Sequence, residues 1–208
     1  MTASRPCAVG VTGHRPNRLA IGQDVISGRL EVVLAALKQE GCPVPNVALS
    51  ALAEGADRLF AVAALSLGYR LEVVLPFKSP DYETTFGDQT TMPAYRDLLV
   101  QAASVTELTG ELSDSKAAYE VVGHEIVARS NVIVAVWDGK PAAGRGGTPD
   151  IIENAISSSK PVIWIDALHD RQPLVLRTHC DGDPNMSLNC LAAKAKPLTK
   201  AEIATFFV

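Results

Sequence analysis

Short apolar runs alternate with segments of helical pattern along the chain, and this alternation constrains the fold more than any other feature. The strongest run, residues 131–136 (NVIVAV), is apolar on both faces, as a central strand of a parallel sheet must be. The intervening segments repeat apolar residues with a period of about 3.6, which is typical of helices that pack on a sheet. These patterns predict an α/β fold with a mostly parallel sheet of about six strands, helices on both faces and right-handed crossovers.

The boundaries of the segments give a Rossmann-like order of elements. Strands are predicted at residues 7–11, 47–50, 71–75, 105–108, 131–136 and 161–165. Helices are predicted at residues 22–40, 55–67, 93–103 and 148–158. A further helix, for which Ser113 or Asp114 can serve as the N-cap, is predicted to reach Arg129. After Asp166 the pattern weakens, so residues 167–197 are predicted to be irregular, with a short final helix near 199–207.

The length of 208 residues suits one domain with a well-buried core. We therefore expect a single domain over residues 1–208, in which 167–208 form a less regular C-terminal extension. Residues 77–92 are polar and exceed the usual connection of about 2–6 residues in such folds. Their embedded aromatic residues, Phe77, Tyr82 and Phe86, favour a lid over the ligand site.

Composition excludes several classes of protein. A net charge of −4 and an aromatic content of 5% argue against a nucleic-acid partner, including single-stranded DNA. The absence of a signal-like apolar segment and of a run of about 18 apolar residues predicts a cytoplasmic protein without a membrane partner. None of the four cysteines forms a CxxC pair, so free thiols are expected, with no metal site and no resident cofactor. These are Cys7, Cys42, Cys180 and Cys190.

Residues that follow the strands are the candidates for function, because ligands of open α/β sheets bind beyond the carboxyl ends of the strands. The first strand is followed by Gly13, His14 and Arg15. Glycine allows a tight turn and close backbone approach, and the other two side chains offer donors to an anion. We expect all three to contact the ligand.

The segment SALAEGAD after the second strand supplies a second set of candidates. Ser50 and Asp57 can cap the helix or bind the ligand, and Gly55 permits close approach of the backbone. Glu54 is a candidate general base, or a group that binds ribose hydroxyls. Either acidic residue can equally be a helix-start residue that complements the helix dipole.

The loop after the central strand gives the strongest signal for a phosphate. Asp138 stands at the end of that strand, placed to accept a hydrogen bond from a ribose or an amide. A glycine-rich stretch then leads into a helix whose first N–H groups and dipole attract an anion. Its predicted ligand-binding residues are Gly144, Arg145, Gly146, Gly147 and Thr148. Neither GxGxxG after the first strand nor GxxxxGK[ST] is present, so phosphate binding is assigned to this later strand.

Three motifs together resemble the SLOG superfamily, which joins the DNA-processing protein A domain to the LOG (Lonely Guy) proteins, over about residues 7–166. In SALAEGAD, the matching residues are Ser50, Ala53, Gly55 and Asp57, with Ala51 in place of a glycine. GRGGTPDIIENA is similar to the LOG motif PGGxGTxxE, and its matching residues are Gly144, Gly147 and Thr148. GVTGHR looks like the first-strand loop of stand-alone bacterial members.

The resemblance implies two alternative functions. LOG proteins are phosphoribohydrolases that cleave the N-glycosidic bond of nucleoside monophosphates with a motif glutamate and an upstream arginine. Here Ile151 occupies the glutamate position, with Asp150 one residue earlier. Other members are sensors that bind nucleotide-derived, ADP-ribose-like ligands, and LOG-like proteins are commonly homodimers.

We therefore expect a nucleotide-binding sensor or carrier that recognises a nucleoside phosphate or an ADP-ribose-like ligand. The alternative is a nucleosidase, which needs a carboxylate near the anomeric carbon. Its catalytic candidates are Glu54 and Asp150, with Glu120 in the cluster YEVVGHE as a further one. Single-stranded DNA binding, by analogy with the DNA-processing side, is the third hypothesis.

Overall fold

A computed structural model of the protein describes residues 7–40, 46–141, 145–176 and 187–207, and for 207 the backbone alone. Within these ranges eight strands form one sheet in the order β4-β3-β2-β1-β5-β6-β7-β8. The strands are β1 (Ala8–Gly13), β2 (Val47–Ser50), β3 (Arg70–Leu75), β4 (Ser104–Glu107), β5 (Val132–Trp137), β6 (Val162–Asp166), β7 (Leu174–Leu176) and β8 (Lys196–Pro197).

The first six strands are parallel, and β7 and β8 add an antiparallel edge. Strand β1 lies at the centre, with β2 on one side and β5 on the other. The strand order therefore reverses between β1 and β5, where the next strands run away from each other. The prediction of a Rossmann-like, mostly parallel sheet is confirmed, and β5 is fully buried as its sequence requires.

Helices cover both faces of the sheet. They are α1 (Gln23–Glu40), α2 (Ala56–Ser66), α3 (Ser79–Glu83), α4 (Met92–Gln101), α5 (Ser115–Arg129), α6 (Thr148–Ser157), α7 (Leu188–Ala193) and α8 (Lys200–Ala204). One apolar core joins α1, α2, α4 and α8 to one face, with Val9 and Val11 among its strand residues. The other core joins α5, α6 and α7 to the opposite face, where Ala8 lies. Alternate residues of β1 thus serve the two cores, as the period of a strand dictates.

The prediction of an irregular segment at 167–197 is wrong where β7, α7 and β8 form. Strand β7 has three residues and pairs with β6, while β8 has two residues and pairs with β7. Elements this short carry too few residues for a period to be read. Their structure comes from pairing with the existing sheet edge rather than from a pattern of their own.

Residues 77–92 are packed rather than open. They contain α3 and a 3-10 turn at Gln89–Thr91. The aromatic rings that favour a lid at the sequence level are buried, and Tyr82 meets Phe86 edge to face with 4.9 Å between ring centroids. Burial of three such rings fixes the segment to the body of the protein, because each aromatic side chain removes about 150–250 Å² of surface from water.

Two sequence expectations about the cysteines differ in outcome. Cys190 is a free thiol as expected. Cys7 is disulfide-bonded, so the expectation is wrong for this residue. Cys42 and Cys180 lie outside the described residues.

In the described part of the chain, none of the helices combines the length and the apolar character needed to span a membrane.

Candidate functional site

A cleft of about 390 Å³ opens at the carboxyl end of β1, between the segment that follows β2 and the start of α6, beside the point where the strand order reverses. This is the position at which open α/β sheets bind ligands. The cleft is bounded by the end of β1, the turn that follows it, the start of α2, one side of α5 and the start of α6. Its lining residues are Val11, Thr12, Gly13, His14, Arg15, Asn17, Arg18, Ala51, Ala53, Asp57, Tyr82, Tyr119, Val122, Gly123, Ile126, Gly146, Gly147, Thr148 and Ile151.

The start of α6 forms one wall of the cleft. Gly146 has φ of +74°, and an added Cβ would lie 2.6 Å from the carbonyl oxygen of Lys116, so only glycine fits there. Gly147 is the N-cap residue, and its N–H donates to Asp150 Oδ2 at 3.4 Å. Pro149 has no N–H and the Gly147 N–H is donated to Asp150, so the donor of this wall is the Thr148 N–H, which has no acceptor within the helix. The wall also presents the positive end of the helix dipole to the cleft.

Two residues of the predicted glycine-rich site, Arg145 and Gly144, are not part of the described wall. Arg145 forms an exposed ion pair with Glu120 and is not among the residues that line the cleft. Gly144 lies outside the described residues. The glycine-rich wall that the structure describes is therefore Gly146, Gly147 and Thr148.

His14 joins the end of β1 to both β5 and α6. Its Nδ1 lies 3.3 Å from Thr148 Oγ1, and its Nε2 lies 3.0 Å from Asp138 Oδ1. The contact between Nε2 and Asp138 is within hydrogen-bond distance, but Nε2 has no partner with linear hydrogen-bond geometry. The contact is therefore bent. Burial lowers the pKa of His14, against the opposing effect of Asp138, so the ring is neutral at neutral pH.

Asp138 is held by several donors at the end of β5. Its carboxylate pairs with Arg18 and accepts the Lys140 N–H at 3.1 Å, in addition to the His14 contact. Burial by itself would raise the pKa of Asp138, but the hydrogen bonds from Arg18 and His14 outweigh it and lower the pKa to about 2. The predicted ribose-binding group is thus an ionised anchor for two cleft residues, and it does not line the cleft.

Glu54 links the start of α2 to the segment 77–92. Its carboxylate pairs with Arg15 at 2.9 Å and accepts the N–H groups of Gly87 and Asp88, each at 3.0 Å. Burial raises the pKa of Glu54, but the two backbone hydrogen bonds and Arg15 give a net lowering. A carboxylate with three partners and a lowered pKa is suited to holding a loop, whereas a general base near neutral pH needs a raised one.

Asp57 is the only carboxyl group among the described residues that line the cleft. It lies in the first turn of α2 and is 6% exposed. Burial raises the pKa of Asp57 to about 7, although the backbone N–H groups of Ala53 and Ala51 oppose the shift. The charge of the cleft therefore changes within the physiological pH range.

Ser50 and Gly55 have structural roles. The Ser50 hydroxyl donates to the Asp57 carbonyl oxygen at 3.2 Å and accepts the Leu52 N–H at 3.0 Å. Gly55 is the N-cap of α2 with φ of 92°, and an added Cβ would lie 2.6 Å from the His14 carbonyl oxygen. Both residues shape the backbone under the cleft without lining it.

The structure brings together seven of the residues proposed from the sequence. Those that line the cleft are Gly13, His14, Arg15, Asp57, Gly146, Gly147 and Thr148. The two catalytic candidates, Glu54 and Asp150, are not among the lining residues. Ile151, at the LOG glutamate position, is buried in the second core and presses its side chain over Gly123.

Sequence reasoning missed five polar or aromatic residues of the cleft, namely Asn17, Arg18, Tyr82, Tyr119 and Thr12. The first two follow the end of β1 by a few residues, so a wider window after the first strand would have included them. Tyr82 lies in the segment interpreted as a lid, and Tyr119 in the cluster around Glu120. Both tyrosines reach the cleft only through tertiary packing of α3 and α5.

The fold and this cleft define a Rossmann-like α/β protein with a cleft, walled by a helix start, at the strand-order reversal. No protein-family model and no curated protein sequence matches the chain. Among solved structures it is similar to DNA processing protein A from Streptococcus pneumoniae, with 19% identity and a TM-score of 0.58 over 96% of this chain and 60% of that one. This similarity confirms the Rossmann-like α/β fold that the sequence predicts.

Two further solved structures show lower similarity. The molybdenum cofactor binding protein from Rippkaea orientalis has 18% identity and a TM-score of 0.48, over 79% of this chain and 78% of that one. The molybdenum cofactor carrier protein from Chlamydomonas reinhardtii has 19% identity and a TM-score of 0.47, over 77% and 76% of the two chains.

Proposed function

We propose that the protein binds a nucleotide or a nucleotide-derived ligand, either a nucleoside phosphate or an ADP-ribose-like molecule, as a sensor or carrier. The observation that carries this proposal is the meeting of the α6 start with Arg18 and the end of β1 in one cleft. Backbone amides at a helix start and a nearby guanidinium are the two donors that phosphate groups favour.

Charge and shape support the same ligand class. Two arginines, Arg15 and Arg18, line the cleft, and Glu54 and Asp138 pair with them from outside the lining. Among the described lining residues, Asp57 alone carries a carboxyl group. Tyr82 and Tyr119 add aromatic surface, and Arg15 lies over the Tyr119 ring at 6.0 Å from its centroid. The volume of about 390 Å³ is in the usual range of small-ligand sites. A cleft with hydrogen-bond donors at one end and aromatic side chains beside them suits a phosphate joined to a base.

Calorimetric titration with AMP and with ADP-ribose tests the proposal. Replacing Arg18 by alanine is expected to weaken binding about tenfold to a hundredfold, because a hydrogen bond to a charged group contributes about 1.5–3 kcal/mol. Arg29→Ala is the matched control, since Arg29 forms an ion pair with Asp170 and is not a cleft residue. The proposal fails if neither ligand binds at millimolar concentration, or if both variants weaken binding equally.

A second candidate function is cleavage of the N-glycosidic bond, and the position of Asp57 favours it. A carboxyl group with a pKa of about 7 in the cleft is suited to protonating a leaving base, a role that requires a proton at neutral pH. We assign the catalytic role under this hypothesis to Asp57 rather than to Glu54 or Asp150.

Release of free base from nucleoside monophosphates, followed by chromatography, distinguishes cleavage from binding. If the protein cleaves, Asp57→Asn is expected to reduce turnover at least a hundredfold, whereas Asp150→Asn is expected to leave it within a few-fold, since general acid catalysis contributes about 10²–10⁴-fold. Activity that survives in Asp57→Asn and disappears in Asp150→Asn would reverse this assignment.

A further inference from the structure

Three buried side chains form a polar chain that ends in the cleft. Asp138, at the end of β5, contacts His14 Nε2 at 3.0 Å, and His14 Nδ1 contacts Thr148 Oγ1 at 3.3 Å. The three residues are 9%, 4% and 8% exposed, respectively. Thr148 is the first residue of α6 and lines the cleft at the wall proposed to hold the phosphate.

The position of each proton in this chain follows from its neighbours. Asp138 is an ionised acceptor that also pairs with Arg18. A carboxylate oxygen 3.0 Å from a ring nitrogen is repulsive unless that nitrogen carries a hydrogen, even where the contact is bent. Nε2 of the neutral His14 ring therefore carries the hydrogen, and Nδ1 has a free lone pair.

This tautomer determines what Thr148 offers to a ligand. With a lone pair on Nδ1, the Thr148 hydroxyl must be the donor in the contact with His14. Its proton is then directed away from the ligand, and its oxygen presents only lone pairs to the cleft. A phosphate dianion carries acceptors alone, so the hydroxyl opposes the amides beside it.

We propose that His14 takes up one proton from solvent when a phosphate group binds at the start of α6, and that this proton converts the Thr148 hydroxyl from an acceptor to a donor. The proton joins Nδ1, the resulting N–H donates to Thr148 Oγ1, and the hydroxyl hydrogen turns to the phosphate oxygen. No covalent bond other than the new N–H forms. This inference rests on the proposed phosphate site and makes His14 the positioning residue of that site.

The charged groups around His14 are compatible with the uptake of a proton by its ring. Asp138 of β5 stabilises an imidazolium, Arg18 of the turn after β1 opposes one, and Asp57 of α2 lines the same cleft. In the free protein burial keeps the ring neutral. A bound dianion adds negative charge beside Thr148, which favours the protonated ring.

Calorimetry with AMP at pH 8, in two buffers of different ionisation enthalpy, measures the proton uptake, since the free phosphate is then a dianion. We expect uptake approaching one proton per bound AMP in the native protein and in Thr148→Ser, and none in His14→Gln or Thr148→Val. Asp57→Asn is the necessary control, because Asp57 also titrates near this pH. Uptake that persists in His14→Gln, or disappears only in Asp57→Asn, overturns the proposal.

Nitrogen NMR of the histidine rings in the ligand-free protein gives a second test that needs no ligand. The His14 signals, assigned with His14→Gln, are expected to show the neutral tautomer with hydrogen on Nε2 at pH 7. A ring with hydrogen on Nδ1 contradicts the inference. If AMP binds without proton uptake, this inference alone fails, whereas failure of AMP and ADP-ribose to bind removes the proposed function as well.

Discussion

Replacement of Gly55 by alanine is expected to destabilise the protein by about 3 kcal/mol or more. Gly55 has φ of 92° and ψ of −126°, a region that other residues enter at a cost of about 1–3 kcal/mol. The new Cβ would also lie 2.6 Å from the His14 carbonyl oxygen and 3.0 Å from the Arg15 carbonyl carbon. Both are backbone atoms, so relief of the clash requires movement of the chain that leads from β1 into the cleft.

Urea unfolding of Gly55→Ala beside Gly28→Ala measures this effect. Gly28 is exposed within α1, and an added Cβ there meets no atom within 4 Å. Alanine at that position is expected to stabilise the protein by about 0.5–1 kcal/mol, because glycine weakens a helix interior. Similar unfolding midpoints for the two variants would contradict the close approach of α2 to the His14 backbone.

The stability of the protein is expected to fall by about 4 kcal/mol as pH rises from about 4 to above 7, through the ionisation of Asp57 alone. The pKa of this carboxyl group is raised from its ordinary value of 3.8 to about 7 in the folded protein, and each pH unit of difference is worth about 1.4 kcal/mol. The folded state holds the proton more tightly, so this contribution is complete below pH 4 and is lost as pH passes 7.

Asp57→Asn is expected to remove this dependence and to be more stable than the native protein at pH 8, since the amide oxygen can still accept the backbone N–H groups of Ala51 and Ala53. Asp97→Asn, on the exposed side of α4, serves as the matched control and is expected to follow the native curve. Denaturant unfolding at pH 5 and at pH 8 compares each of the two variants with the native protein. Parallel behaviour of the two variants would show that burial of Asp57 does not govern its ionisation.

The elements of the fold that the sequence predicts are those with a self-contained pattern. Strand β2 at Val47–Ser50 matches its predicted range, and the expected cap of α5 is present, since Asp114 accepts the Ala117 N–H. Helix α6 begins at Thr148 as predicted because its proline and glycine signals are local. These features depend on neighbours within a few residues, which a sequence displays directly.

The features that escaped prediction depend on residues distant in sequence. Arg18 becomes a site residue through Asp138, which is 120 positions away. The Glu54 carboxylate accepts hydrogen bonds from backbone N–H groups 33 and 34 positions away. Nothing in the local motif around Glu54 indicates these partners. Asp57 was proposed as a ligand-binding group from its motif, but its burial, which sets its charge, appears only once α2 packs on the sheet.

The central position of β1 determines when the cleft can form during folding. His14 and Thr148, which meet across the cleft, are 134 positions apart, so closing this contact costs more chain entropy than any local pairing. Strands β1 to β4 can associate through successive crossovers, but the cleft exists only after β5 has docked on the other side of β1 and brought the start of α6 with it. We expect a slow final folding phase that depends on β5, and ligand added during refolding should act after that phase rather than before it.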